Sequence, residues 1–451
     1  MIVDIVYSDN MVLQRNTHNY ITGQCLDNED VSIYFQGTRY RSQSKNNTWE
    51  NGIRPYNARG GGGKTPSAML VDMFPMSDGK IPATCETYNT LTKSDIPYYR
   101  EFPFVDRDPR FYRTFAFPGV RWSFVGNPTT QGNRYPHNGP DYELWNYTWY
   151  TDAAYVDDIE ANSSVTYGAD GLLNDVKGFY VRKRSDDRDV NAIARYVYDE
   201  KSGGFTRSAA PYMEIRYAEV LLNYAACNAG EMGVAVDQLQ KIRARVGYKA
   251  ENNYGLEAGL DGDQAKCMAA IMYERQIELA YEGKRFDDMR RWMLFDGGIE
   301  LPEGAPATWK LTGWGGNTCT YLGFKPLNGQ RRENLEFRTT VNGGIGGTNV
   351  DDDPLVKAGI TRPAAMDLRK DLASEQDRLK EFYSNYLTRK TKKGDSYDDS
   401  HSPLYIAFLP RYYILGFHQG IQGNNSTLLQ TIGWGDYNNG GANGTFDPLA
   451  E

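Results

Sequence analysis

A mainly α protein with long loops, preceded by a short β-rich segment, is the architecture that these 451 residues predict. Helix is signalled from about 211 to 292, where apolar residues recur at 3.6-residue spacing. Strand is signalled near the N-terminus, where VSIYFQG (31–37) alternates with period two. Long loops are signalled by 46 glycines, many in clusters between these elements.

Taken in order, residues 1–50 form the β-rich segment. Residues 51–67 form a glycine-rich junction, because four successive glycines in ARGGGGKTPS hold no regular element. GGGGKT lacks the GxxxxGK[ST] spacing of a phosphate-binding loop, has no apolar strand before it and is followed by Pro66, so it reads as loop. Residues 68–451 form the main domain. Its first part, to about 210, reads as loops, short strands and turns with clustered aromatics.

Three helices follow. PYMEIRYAEVLLNYAACNAGE places Ile215, Ala218, Leu222, Ala225, Ala226 and Ala229 on one stripe, with Pro211 suited to its first turn and Gly230 to its end. GVAVDQLQKIRARVGY places Ala235, Leu239, Ile242 and Val246 on one face and stops at Gly247. A third helix runs from near Asp263 toward Trp292, with a break at Gly283. The short connection between the first two favours an antiparallel pair. SEQDRLKEFYSNYLTRKTKK predicts a further helix with a basic end. EGAPATWKLTGWGGN and NGGIGGTNVDDDP read as surface loops, and the tail GWGDYNNGGANGTFDPLAE is expected to be poorly ordered unless docked.

Composition excludes several classes. Net charge is −8, which opposes non-specific binding to nucleic acid. No apolar run reaches the ~18 residues that span a bilayer. Asp4, Asp9 and Arg15 interrupt any N-terminal leader pattern. Cysteines at 25, 85, 227, 267 and 319 form no CxxC pair, and Cys227 and Cys267 read as small core residues. LDGDQ and DDDP offer oxygen ligands but do not match a calcium loop, so solvated acidic loops are expected, with no metal and no cofactor.

The most charged helix is YERQIELAYEGKRFDDMRRW. Glu274, Glu278 and Glu282 lie four apart, on one face. Arg275, Arg285, Arg290 and Arg291 lie on the same element, and Arg216, Arg243 and Arg245 on the neighbouring helices. Bidentate arginine pairing would make this a structural helix. A diiron site would need Glu-x-x-His repeats, and these helices contain no histidine. The chain has four histidines, and none sits in HExxH or beside a nucleophilic serine motif.

RYAEVLLNYAACNAGE, LQKIRARVGY and YERQIELAYEGKRFDDMRRW together resemble the helical signature of the SusD/RagB family. TPSAMLVDMFPMSDGK, DRDPRFYRTF (the family's NRDPRF) and YYILGFHQGIQGNNSTLLQTIGW (its closing motif, without the prolines) follow in family order. The resemblance covers roughly 65 to 435. It implies a tetratricopeptide-type helical scaffold and a non-enzymatic, oligosaccharide-binding lipoprotein at the cell outer membrane of Bacteroidetes. It further implies nutrient uptake through a SusC-like TonB-dependent transporter. Family members carry a leader, a lipidated cysteine and several N-terminal helices. None is visible here, so the chain reads as N-terminally truncated, with an apolar face of the 212–292 hairpin expected to be uncovered. Residues 5–37 resemble instead the N-terminal β-sandwich segment of sialate O-acetylesterases, without that family's catalytic serine motif. A carbohydrate esterase fragment and a helical-repeat adaptor for proteins are the alternative functions.

A sugar site needs exposed rings for stacking and polar side chains at its rim. The segment 133–155 has that composition. Tyr142, Trp145, Tyr147 and Trp149 lie among Asn138, Asp141, Glu143 and Asn146, with Trp122 upstream. Trp122, Tyr142, Trp145, Asn146, Tyr147 and Trp149 are therefore the expected glycan contacts. The alternative is that Trp145 and Trp149 anchor the segment to the core.

Overall fold

The computed structural model describes residues 52–53, 65–122, 143–150, 178–185, 215–292, 333–340, 353–393, 410–448 and 450, with short strands at 6–7, 32–35, 38–41, 166–168, 172–173, 196–199, 204–208 and 212–213. Within these, helices carry more of the regular structure than strands. The helices of the main domain are α1 (Ala68–Met73), α2 (Pro109–Thr114), α3 (Tyr217–Cys227), α4 (Met232–Val246), α5 (Gln264–Glu278), α6 (Arg285–Arg291), α7 (Pro354–Lys357), α8 (Leu372–Tyr386) and α9 (Gln419–Asn424).

Local chemistry starts and stops them. Asp108 and Asp353 each cap a helix whose first residue is proline, accepting from the backbone N–H of Arg110 and Leu355. Asp263, from LDGDQ, caps α5 by accepting from Lys266 N–H, and Asp371 caps α8. Gly247, at φ 118°, ends α4 in the left-handed conformation open to glycine. The expected break between α5 and α6 is present, with Tyr281 at φ 62° and Gly283 at φ 76°.

Helices α3, α4 and α5 pack pairwise. The predicted stripes turn inward: Ala218, Leu222, Ala225 and Ala229 from α3 and its end, and Ala235, Leu239 and Ile242 from α4, are buried. Three expectations are corrected. Helix α3 begins at Tyr217, because Tyr212–Met213 instead pairs as a strand with Val6–Tyr7. Ile215 therefore leaves the stripe and is exposed. Tyr217, Val220 and Tyr224, on the other side of α3, are also exposed. Cys227 is exposed, whereas Cys267 is buried as predicted.

VSIYFQG contributes Ser32–Phe35, hydrogen-bonded antiparallel to Thr38–Arg41. The basic end after α8 is a strand, Leu387–Lys393, paired antiparallel with Glu333–Thr339 from Glu333↔Lys393 to Thr339↔Leu387. It opens a five-stranded sheet that continues through Thr148–Tyr150, Thr166–Gly168 and Leu172–Leu173. A core of rings lies between sheet, loops and α8. Tyr383 meets Phe104 and Phe337 edge-on, each at 4.9 Å.

The tail is ordered from 410 to 448 and docked. Arg290 donates to the carbonyls of Tyr412 and Tyr413, at 3.0 and 2.8 Å. Inside it, the Gln422 side chain donates to Asp436 and accepts from Gln430, both at 3.0 Å. The glycine-run junction and the EGAPATWKLTGWGGN loop lie outside the described residues. No described helix is long and apolar enough to cross a membrane.

Candidate functional site

The aromatic segment is where the sequence expectation meets its main correction. Trp122, Trp145, Asn146, Tyr147 and Trp149 are all buried, none above 2% exposed, and Tyr142 lies outside the described residues. The cause is extended backbone: Glu143–Leu144 pairs with Val120–Arg121, and Thr148–Tyr150 enters the five-stranded sheet. Between these strands Tyr147 N–H donates back to the Trp145 carbonyl at 3.0 Å in a tight turn, and Leu144, Trp145, Asn146, Tyr147 and Trp149 are all buried. Trp145 meets Phe382 of α8 edge-on at 5.2 Å, and its indole N–H donates to Glu143 at 3.1 Å. Trp122 donates to the Ser185 hydroxyl at 3.2 Å. The Asn146 amide donates to the Tyr180 hydroxyl at 2.8 Å. The Tyr147 hydroxyl donates to Asp353 and accepts from Arg362 Nε at 2.9 Å. Asp353, the last residue of DDDP, is thus a buried ion-pair partner rather than part of a solvated acidic loop. The protein occupies these ring faces, so the residues anchor the segment and do not offer a stacking platform.

The charged face of α5 has the architectural chemistry its spacing predicts, although the helix ends at Glu278 and Glu282 lies in the turn beyond it. Glu274, Glu278 and Glu282 are all buried. Arg243 Nε donates to Glu274 at 2.6 Å, and Arg110 Nη1 reaches both Glu274 and Glu278. Arg216 donates to Glu278 at 2.6 Å and to both oxygens of Glu282, at 2.7 and 2.8 Å. Arg245 adds a bond to Glu278 at 2.5 Å, and Lys183 pairs with Glu282 at 2.7 Å. Asp108 closes the far end by pairing with Arg110 and accepting from the Tyr248 hydroxyl at 2.8 Å. Burial alone would raise the carboxyl pKa values of Glu278 and Glu282. The surrounding cations outweigh it and hold both at about 2. Burial likewise pulls the Lys183 ammonium down to about 8 against the pull of Glu282. Carboxylates held this low cannot serve as general acids near neutrality.

Beside this network a narrow cleft, with room for about 30 Å³, opens between Gly79–Ile81, Leu91–Thr92 and Gly255–Glu257, with Arg243 and Tyr273 also lining it. Two glycines bring backbone against the Arg243 guanidinium. Its Nη1 donates to the carbonyl of Gly79 at 2.8 Å and to that of Gly255 at 3.4 Å. A Cβ on Gly79 would sit 2.4 Å from Nη1. The Gly255 side is built from three successive left-handed residues, Asn253, Tyr254 and Gly255, at φ 51°, 56° and 70°. Glu257 is held by Thr92 N–H at 2.6 Å and by Lys266 at 3.4 Å. Among the described residues no group of histidine, cysteine and carboxylate side chains gathers as a metal site.

A model of the SusD family matches residues 14–321. The match opens inside the 5–37 segment and runs through α1 to α6. The curated SusD-like protein P2 of Formosa agariphila is 36% identical over 110 residues, covering 23% of this chain and 21% of that relative. The aligned part of the chain thus spans about a fifth of the curated relative's length. A solved structure from Bacteroides fragilis, described as a SusD-like carbohydrate binding protein, is 23% identical with a TM-score of 0.29, over 50% of this chain and 35% of that one. The family match extends over more than half of the chain and includes the helices that carry the Arg–Glu framework: this protein belongs to the SusD family.

Proposed function

We propose that the protein binds oligosaccharide without chemical turnover and takes part in glycan uptake. Membership of the SusD family carries this reading. The geometry agrees with it: Glu274, Glu278 and Glu282, the carboxylates whose spacing most suggests acid–base chemistry, are consumed by arginine and lysine partners. The membrane partner is a SusC-like TonB-dependent transporter and the location is the outer-membrane surface, as the family resemblance implies. A glycan-array screen followed by calorimetry tests the proposal. Saturable binding with the oligosaccharide recovered intact is expected. Cleavage or deacetylation of the ligand, or no binding to any glycan, would overturn it. Co-purification with the transporter tests the partner separately.

A further inference from the structure

A buried polar cluster in the docked tail holds one exposed ring in place. Gln422, Gln430 and Asp436 are buried. Besides its bonds to Asp436 and Gln430, the Gln422 side chain accepts from Tyr437 N–H at 3.0 Å. Asp436 accepts from Asn438 N–H at 2.9 Å. The Asn438 amide donates to the carbonyls of Gln422 and Asn425, at 3.1 and 3.2 Å, and so closes 422–425 against 436–439. The backbone around Tyr437 is thereby fixed from both segments. Its ring rests on Gly423, where an added Cβ would lie 3.1 Å from Cε1, and yet the residue is 56% exposed. A ring displayed from a held backbone loses little freedom when a ligand settles on it.

The surroundings select the ligand's chemistry. Asn424 and Asn439, on the two segments that meet at the ring, are exposed. Their side chains make no hydrogen bond among the described residues. Of aspartate, glutamate, lysine and arginine, residues 412–446 contain Asp436 alone, and it is buried. This stretch therefore offers no exposed charge to an ionic ligand. An open ring bordered by amides presents an apolar face to C–H groups, and both donors and acceptors to hydroxyls. We propose that Tyr437 is a stacking platform for a neutral sugar unit of an oligosaccharide, whose hydroxyls bond to Asn424 and Asn439. The inference rests on the oligosaccharide-binding reading above and adds the site and the ligand's lack of charge. Leu415, Phe417 and Leu429 of the same tail are also exposed, and a protein settling on this surface instead is the rival outcome of the test.

The test is calorimetry of the full chain with cellohexaose, maltohexaose, laminarihexaose and any further neutral chain that the glycan array selects, and with a uronate oligomer of the same length. Tyr437→Ala, Tyr437→Phe and Asn439→Ala are compared, each with its melting temperature. Binding of a neutral chain that Tyr437→Ala weakens about tenfold, Asn439→Ala weakens less and Tyr437→Phe retains supports the platform. Unchanged affinity in Tyr437→Ala, an equal loss in Tyr437→Phe, or tighter binding of the uronate overturns it. Should Tyr437→Ala melt at a lower temperature than wild type, Asn439→Ala decides, by weakening the affinity or leaving it as it was. Loss of transporter co-purification in Tyr437→Ala with glycan affinity intact gives the ring to a protein partner and also overturns the inference. If only charged glycans bind, or a neutral one that no variant weakens, the oligosaccharide reading survives and this site falls; if no glycan binds, both fall.

Discussion

Arg275 clasps Asp288 with two parallel hydrogen bonds, Nε to Oδ2 and Nη2 to Oδ1, each 2.8 Å long. Both side chains are nearly buried, at 2% and 3% exposure. The pair fastens α6 back onto α5 across the break at Tyr281 and Gly283. Removing Arg275 leaves the enclosed Asp288 with the half-exposed Arg291 alone, whose Nη2 reaches Oδ1 at 2.5 Å, so Arg275→Ala is expected to cost about 3 kcal/mol. Urea denaturation measures this. Glycan affinity of the folded fraction should be unchanged, and its loss in a folded variant would give Arg275 a role beyond framework.

Acid should dissolve the network in a defined window. Glu278 and Glu282 are held at about 2, below their ordinary value of 4.5. A carboxyl group depressed in the folded state contributes stability that is fully present above its unfolded pKa and lost as pH falls through the folded one. The melting temperature is expected to fall steeply between pH 4.5 and 2. Replacing both residues by glutamine should flatten that slope while lowering stability near neutrality. A slope unchanged by the double substitution would place the acid sensitivity elsewhere.

Trp145 tests the core assignment of the aromatic segment. Trp145→Ala removes a ring packed on Phe382 and is expected to destabilise by about 3–5 kcal/mol. Chemical denaturation gives the value. A change near zero, with sugar binding abolished, would restore the ring to the surface role its composition suggests.

Tyr147 and Asp353 form the polar anchor of the same segment. Tyr147→Phe deletes the hydroxyl that serves both Asp353 and Arg362. The expected loss is about 1–3 kcal/mol, because Asp353 stays buried with one fewer donor. Arg362 still reaches Asp353 at 2.8 Å, so the substitution should not unfold the chain. A thermal melt compared with wild type measures it.

Gly119 has φ +88°, and an added Cβ would lie 2.3 Å from Leu379 Cδ1 of α8. Gly119→Ala is expected to cost about 1–3 kcal/mol through backbone strain and overpacking. An unchanged denaturation midpoint would show that α8 moves aside without cost.

How much of this was legible in sequence depended on the range of the signal. Helix faces and the Asp-Pro starts are local patterns, and they appear where Leu222, Leu239, Asp108 and Asp353 placed or could have placed them. The four-residue spacing of Glu274, Glu278 and Glu282 pointed to arginine pairing, and Arg216, Arg243 and Arg245 answer it. Arg110, Lys183 and Arg184 complete the network from distant parts of the chain. No local periodicity links them to α5, and only the DRDPRF resemblance marked Arg110. The aromatic segment was misread by composition. Two short strand pairings joined by a tight turn bury neighbours on both sides, Leu144 and Asn146 with Trp145 and Tyr147, and no local spacing marks such a turn. The cleft was invisible because Lys80 and Arg243 become neighbours of one cavity only when Gly79 and Gly255 close on the guanidinium.

The tie between Arg290 and the tail uses only main-chain oxygens of Tyr412 and Tyr413. Every amino acid carries such an oxygen, so these two bonds survive a change of side chain at 412 or 413, whereas drift at position 290 releases them. Arg290 thus anchors the terminal lobe to the hairpin through atoms that evolution cannot change in the lobe, and divergence at that one position would cost both bonds at once.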